Sequence, residues 1–204
     1  MNKLQIGITL FGLTNVIYCL NLFNYFIYMF DIVCIMELIN AYNNNNTNIS
    51  SNAFKFLYVI YCVLLGYLSY NVLIVYSSKL LLNIVLIANI NDISQYAIGY
   101  NYGTHFVSTI SPNKTYEGYI AGIGSVILYS QFINYTYIDL YLTQYDYIIC
   151  FVYASLGDAI SSYFKRQLKI KDWSALLGKQ GGFLDRGNST IGVMLYFITS
   201  HMQY

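Results

Sequence analysis

Apolar runs at about residues 4 to 20, 21 to 42, 54 to 76, 79 to 100, 117 to 134, 145 to 164 and 189 to 204 fill most of this chain, with short polar connections between them. That pattern leaves few folds open. About 20 apolar residues cross the roughly 30 Å hydrocarbon layer as a helix, because in lipid every backbone N–H and C=O must find its partner inside the segment. Charged residues make up 9% of the 204 positions, far below the roughly 25% of soluble domains. The sequence therefore predicts an all-α, polytopic membrane protein with about seven transmembrane helices. Residues 1–204 would form a single integral-membrane domain.

Leu4 to Ile39 is too long for one ordinary crossing and is interrupted by Asn15, Asn21, Asn24 and Asp31. A tight hairpin near Leu20 to Asn24 is expected there rather than one very tilted helix. The first run has no small-residue cleavage site and merges into the second, so it reads as a retained anchor, not a signal peptide. The Asn-rich stretch at 43–53 is a polar connector, and no internal repeat is evident. Lys and Arg gather on the cytoplasmic side of membrane proteins. The basic loop at 165–188, the Lys114 loop, the connector beside Lys55 and the start at Lys3 fall on one side if spans alternate, leaving only Lys79 opposite. These loops are expected to be cytoplasmic, which puts the Asn45 and Asn48 sequons out of reach of glycosylation.

A net charge of +1, with the bases gathered in one loop, does not suggest a nucleic-acid partner. Cys19, Cys34, Cys62 and Cys150 lie scattered in apolar segments without metal-ligand spacing and read as small core residues. His105 and His201 stand alone and are given no role.

The charged chemistry is concentrated. Of ten Lys and Arg, six lie between Gly157 and Asn188: Lys165, Arg166, Lys169, Lys171, Lys179 and Arg186, among Asp158, Asp172, Asp185 and the Gly181-Gly182 pair. Cations, carboxylates and a flexible backbone are what a site for phosphates and a divalent metal requires. On a helix, Asp158, Ser162 and Lys165 share a face, with Asp158 about two turns below the membrane surface. A carboxylate there calls for a partner, either a metal or an ion pair with Lys165 or Arg166. Gly181-Gly182 would let backbone N–H groups approach an anion. Trp173, Leu176, Leu177 and Phe183 interleave with Lys171, Lys179 and Arg186, as in an amphipathic segment at the lipid interface.

The order Ser162-x-Phe164-Lys165-Arg166-x4-Lys171-Asp172-x-Ser174-x2-Leu177-Gly178-x2-Gly181-Gly182-Phe183-x-Asp185-Arg186 resembles the signature of phosphatidate cytidylyltransferases, the CDP-diacylglycerol synthases. Ile110 to Gly118, ISPNKTYEG, is similar to that family's S-P-K-K-T-W-E-G segment. Asp92 to Gly103 is similar to its D-x-x-A-Y-x-x-G-R-x-x-G, with Gln95 for the Ala and Tyr100 for the Arg. Gln180 stands for a His before the two glycines, and Gly187-Asn188 follows Asp185-Arg186 where the family has a hydrophobic residue and an Asp.

The resemblance implies an enzyme that condenses CTP with phosphatidic acid in the membrane, releasing pyrophosphate. It implies Mg²⁺ held by Asp158 and Asp185, with Asn188 a weakened third ligand. Lys165, Arg166, Lys171 and Arg186 would neutralise phosphates, and Asp172 would orient Lys171 or a metal-bound water. Ser111, Lys114 and Thr115 would contact the nucleotide or the lipid phosphate, Glu117 and Asp92 would organise those cations, and Ser162, Gly181 and Gly182 would complete the substrate contacts. A homodimer is compatible with this reading. Two alternatives remain open from the residues: a CTP-dependent kinase of a lipid alcohol, and a catalytically impaired homologue serving as a membrane scaffold.

Overall fold

The computed structural model describes residues 3–45, 55, 58–61, 63, 67, 77–107, 111, 114–136, 142–178 and 181–200. Helix α1 (Lys3–Cys19) and helix α2 (Phe23–Asn45) are joined by a turn at Leu20 to Leu22. Asn21 takes a left-handed backbone there, φ 57°, a region Asn enters more readily than other non-glycine residues. The expected hairpin is present. Helix α3 (Ser78–Tyr102), α4 (Tyr116–Thr136), α5 (Gln144–Gln167) and α6 (Leu184–Thr199) follow. Three stretches, Phe23–Asn44, Ser78–Tyr102 and Gln144–Gln167, are long and apolar enough to cross a membrane. In the 54–76 run the described positions Lys55, 58–61, Val63 and Tyr67 are helical. The rest of that run, with Cys62, lies outside the described residues, as do Ile110, Pro112, Asn113, Lys179, Gln180 and His201. No strand occurs among the described residues, only an isolated bridge between Phe106 and Thr115.

The helix starts show two ways of satisfying orphan N–H groups. Helix α3 is capped locally by Ser77, and α5 by a capping box in which Thr143 and Asp146 each accept from the other's backbone. Helix α6 begins after Phe183, which has no side chain able to cap. Its cap comes instead from α2, through Glu37.

The core of the bundle is built by Leu38, Leu80, Leu81, Ile84, Ile87, Val126, Tyr147, Val193 and Phe197, all buried. Outward positions such as Val16, Tyr25, Met29, Leu128, Val152 and Leu156 are exposed and apolar. An aqueous surface would not tolerate so continuous an apolar exterior, whereas lipid does. Of the cysteines, Cys34 and Cys150 are buried as expected, but Cys19 is exposed on the outside of α1.

Helices α5 and α6 touch through backbone. A methyl group built on Gly157 would lie 2.3 Å from the Asn188 carbonyl oxygen, and one on Gly192 would lie 2.0 Å from that of Tyr153. Small residues give membrane helices such close approach. The contact places Asp158 of α5 directly against Ser189 of α6.

The segment after α5 departs from expectation. Rather than lying in the lipid interface, it folds back on the bundle, with Trp173 buried and its indole N–H donating to Ser161 Oγ at 2.8 Å. A buried indole N–H needs an acceptor, and Ser161 supplies it from within α5. Leu176 alone of the interleaved apolar residues is prominently exposed.

Candidate active site

The charged residues form two clusters, about one turn apart along α6. In the first, Lys114 reaches from the loop before α4 and donates to Asp158 Oδ2 at 2.7 Å and to Gln95 Oε1 at 2.8 Å. Gln95 in turn donates to Asn91 Oδ1 at 2.8 Å, so its amide is fixed from both ends. Ser189 Oγ lies 2.7 Å from Asp92 Oδ2 and 3.0 Å from Asp158 Oδ1. A hydroxyl has one proton and can donate to only one of these carboxylates at a time. Two carboxylates joined by one hydroxyl repel unless a cation offsets them. Burial would push the Lys114 ammonium down, but Asp158 and Asp92 outweigh that and hold it above the usual lysine range.

The expected partner of Asp158 is thereby corrected. Asp158, Ser162 and Lys165 do lie on one helix, but the counter-ion of Asp158 is Lys114, brought by the α3–α4 loop, and neither Lys165 nor Arg166. Arg166 instead donates to the Ile170 carbonyl at 3.1 Å, closing the end of its own helix.

Lys165 belongs to the second cluster. Its Nζ is 2.6 Å from Asp185 Oδ1, while Asp185 Oδ2 accepts from the backbone N–H of Trp173 at 2.8 Å and of Gly182 at 2.9 Å. Next to it Glu37, 3% exposed, accepts from Ser174 Oγ at 2.6 Å and Phe183 N–H at 3.0 Å on Oε1, and from Leu184 N–H at 2.8 Å on Oε2. The anions met by the N–H groups after Gly181 are thus the protein's own carboxylates. A methyl group on Gly182 would sit 2.5 Å from both Glu37 oxygens, and one on Gly181 would sit 2.7 Å from Asp185 Oδ2 and 3.2 Å from Asp172 Oδ1. The two glycines are what allow this packing.

Other expected residues take different places. Glu117 does not organise Lys114; it accepts from Thr104 Oγ1 at 2.7 Å and pairs with His105 Nδ1 at 2.7 Å. His105, given no role from sequence, is therefore tied to the start of α4. Asp92 accepts from Ser189 and Asn91 and acts on Lys114 through its charge rather than through a direct hydrogen bond. Thr115 Oγ1 accepts from Gly118 N–H, capping α4. Lys171 and Asp172 are exposed, and Ser162 is half-buried.

Two cavities adjoin these clusters. A cleft of about 530 Å³ is lined by Asp92, Gln95, Ser111, Lys114 and Thr115, with Tyr96, Tyr100 and Phe106 around it. A largely apolar cavity of about 290 Å³ is lined by Phe26, Ile27, Phe30, Ile191 and Met194, with Arg186 among them. Helix α6 lines the apolar cavity through Arg186, Gly187, Thr190, Ile191 and Met194 and meets Asp92, a wall residue of the polar cleft, through Ser189. Helix α3 lines both cavities, with Val85 and Asn89 in the apolar one and Asp92, Gln95 and Tyr96 in the cleft.

Among the described residues no three His, Cys, Asp or Glu side chains form a ready-made metal cage. The donors around Ser189 nonetheless suit a hard cation. Asp92 and Asp158 offer two carboxylates, and Asn188, buried and next in sequence to Ser189, keeps its Oδ1 without a hydrogen-bond partner. Mg²⁺ takes oxygen donors of this kind. Both oxygens of Asp185 are engaged by Lys165 and two backbone N–H groups, as those of Asp158 are by Lys114 and Ser189.

Fold and site together define an integral membrane protein whose helices hold paired cations and carboxylates and frame a polar cleft and an apolar cavity. The cytidylyltransferase family profile matches residues 3–203, and the chain belongs to that family. Phosphatidate cytidylyltransferase of Staphylococcus haemolyticus is 30% identical over 161 residues, 72% of this chain and 61% of that protein. That of Staphylococcus saprophyticus is 30% identical over the same shares. The Aquifex aeolicus enzyme of the same name is 36% identical over 105 residues, 50% of this chain and 39% of its own length. The chain spans about three fifths of the length of the Staphylococcus proteins it matches. No solved structure matches it.

Proposed function

We propose that this protein is a phosphatidate cytidylyltransferase, joining CTP to phosphatidic acid to give CDP-diacylglycerol and pyrophosphate. The observation that carries the reading is the pairing of a charged polar cleft with an apolar cavity along one helix, α3, which is what a reaction between a water-soluble polyanion and a lipid requires. The similarity to proteins named for this activity supports it.

In the reaction an oxygen of the lipid phosphate attacks the α-phosphorus of CTP. The bond from that phosphorus to the bridging oxygen breaks, and pyrophosphate leaves with the electron pair. Little proton chemistry is demanded, so catalysis consists of alignment and charge neutralisation. Lys114, fixed by Gln95 and Asp158 at the cleft wall, would meet phosphate oxygens of the nucleotide. Arg186 stands at the apolar cavity, where a lipid phosphate would lie with its chains toward Phe30 and Ile191. Lys165, held by Asp185, and the exposed Arg166 and Lys171 would complete the cationic surround. Mg²⁺, held by Asp92, Asp158 and Asn188, would offset charge on the transferring phosphoryl group. This ligand set replaces the Asp185 of the sequence-based expectation with Asp92.

The reading also includes seven spans, with the loops at 103–115 and 168–183 on the cytoplasmic face, as the concentration of Lys and Arg there supports. Purified protein in detergent, given labelled CTP, phosphatidate and Mg²⁺, should form a labelled CDP-lipid and pyrophosphate, and should stop when Mg²⁺ is chelated. A γ-phosphorylated lipid alcohol would establish a kinase instead, and nucleotide binding without turnover would establish a scaffold.

A further inference from the structure

We infer that the outer half of the 530 Å³ cleft is a base-binding subsite, in which the pyrimidine ring of the nucleotide stacks on Tyr100 within a wall completed by Tyr96 and Phe106. The inference rests on the cytidylyltransferase reading and assigns the end of the cleft that the charged residues leave unused. Asp92, Tyr96, Tyr100 and Gly103 recur at helical spacing and form one stripe along α3. The stripe is polar at its inner end, where Asp92 meets Ser189, and aromatic at its outer end. A nucleotide has the same polarity, anionic at one end and aromatic at the other. Eight residues of helix separate Asp92 from Tyr100, about 12 Å along the axis, which leaves room for a sugar between ring and phosphate.

The aromatic end is built to present a ring face. Tyr96 and Tyr100 lie nearly parallel, 18° between planes with centroids 5.7 Å apart. Tyr96 therefore braces Tyr100 from one side, and Tyr100 is 77% exposed on the other. Phe106 is 68% exposed. A bare Phe and a bare Tyr in the wall of one cleft are poorly placed for solvent and well placed for a planar heteroaromatic ring, whose faces stack on aromatic side chains whatever the base.

A belt of aromatic residues at headgroup depth would also put Tyr at the end of a membrane helix. Tyr102 has that character: it is 70% exposed and does not line the cleft. It serves as the internal control.

The test compares equilibrium binding of CTP and of inorganic tripolyphosphate to the full chain in detergent, for wild type and three variants. Tyr100→Ala should weaken CTP binding roughly tenfold, the range seen when a stacking aromatic is truncated. Tripolyphosphate, which has no base, should bind Tyr100→Ala as it binds wild type. Tyr100→Phe keeps the ring and should restore CTP affinity, and Tyr102→Ala should leave it unchanged. Equal weakening by Tyr100→Ala and Tyr102→Ala would show a membrane belt only and overturn the inference. Parallel loss of tripolyphosphate would show general disruption and overturn it too. Wild type that binds CTP while Tyr100→Ala binds it equally well refutes the subsite but leaves the cytidylyltransferase reading standing. Wild type that does not bind CTP refutes both.

Discussion

Glu37 and Gly182 should be energetically coupled, and the structure fixes the sign. Glu37→Ala removes a buried carboxylate that accepts three hydrogen bonds, two of them from the N–H groups of Phe183 and Leu184 where α6 begins. Hydrogen bonds to a charged group contribute about 1.5–3 kcal/mol each, and buried donors left without partners carry their own cost. Because Ser174 lies toward the surface and can turn to water, about 4 kcal/mol of destabilisation is expected rather than the full sum. Gly182→Ala alone forces a methyl group into the Glu37 carboxylate, 2.5 Å from each oxygen. The carboxylate can yield only by abandoning its bonds, so about 2–3 kcal/mol is expected, as for other overpacked sites. In the double variant the carboxylate is gone and the methyl group has room. Its stability should match Glu37→Ala alone, giving a coupling of about 2–3 kcal/mol. Trp173 is the chain's one tryptophan and its backbone N–H shares Asp185 with that of Gly182. Its fluorescence during equilibrium unfolding in a single detergent therefore reports the affected loop directly. Strictly additive losses would refute the argument, since they would mean that Glu37 does not occupy the space beside Gly182.

Two further outcomes are expected. Lys114→Met should cut turnover at least a hundredfold and destabilise the protein, because breaking a largely buried pair strands Asp158 beside Asp92, whereas Lys114→Arg should recover part of both. Since the carboxylates hold Lys114 above the usual lysine range, its charged form persists as pH rises, and wild-type activity should show no lysine titration up to about pH 10; an alkaline loss there that Lys114→Arg abolishes would contradict it. Single cysteines at His105 and Lys169, both exposed, should react with an impermeant thiol reagent from the same side of sealed membranes; reaction from opposite sides would overturn the proposed seven-span topology.

Much of the architecture was legible because lipid imposes it. Apolar runs long enough to cross, with Asn at a break, gave helices α2 to α5 within a few residues and the turn at Asn21. The residues Asp158, Lys165, Asp185 and Lys114 were likewise legible, since charge in so apolar a chain stands out. Their pairing was not. Helical spacing relates residues on one element, so it put Asp158 with Lys165, whereas the contacts that formed, Lys114 with Asp158 and Lys165 with Asp185, join separate elements. Ser189 and Glu37 carried weak signals. Ser189 is an ordinary residue in an apolar run, visible only as a hydroxyl one turn beyond Asp185. Glu37 is the one glutamate deep within a predicted span, Glu117 standing at the edge of another, and the cost of burying it is the signal that it needs a partner.

What decides the site is how helix α6 begins. Phe183 cannot cap it, so a start at Leu184 is stable only where an outside anion meets the free N–H groups, and Glu37 provides one from 147 residues away. That cap anchors the first turn, which holds Asp185 toward Lys165. The next turn then follows from helical geometry: Ser189, four residues on, meets Asp92 and Asp158 only because Gly157 and Gly192 let α5 and α6 touch. Arg186 and Thr190 share the same spacing and are carried to the opposite side, toward the apolar cavity. A one-residue shift in where α6 starts would rotate all of these by about 100°, exchanging the residues that face carboxylates with those that face the apolar space. The register of α6, more than any single charged side chain, therefore determines which residues meet the carboxylates and which line the apolar cavity.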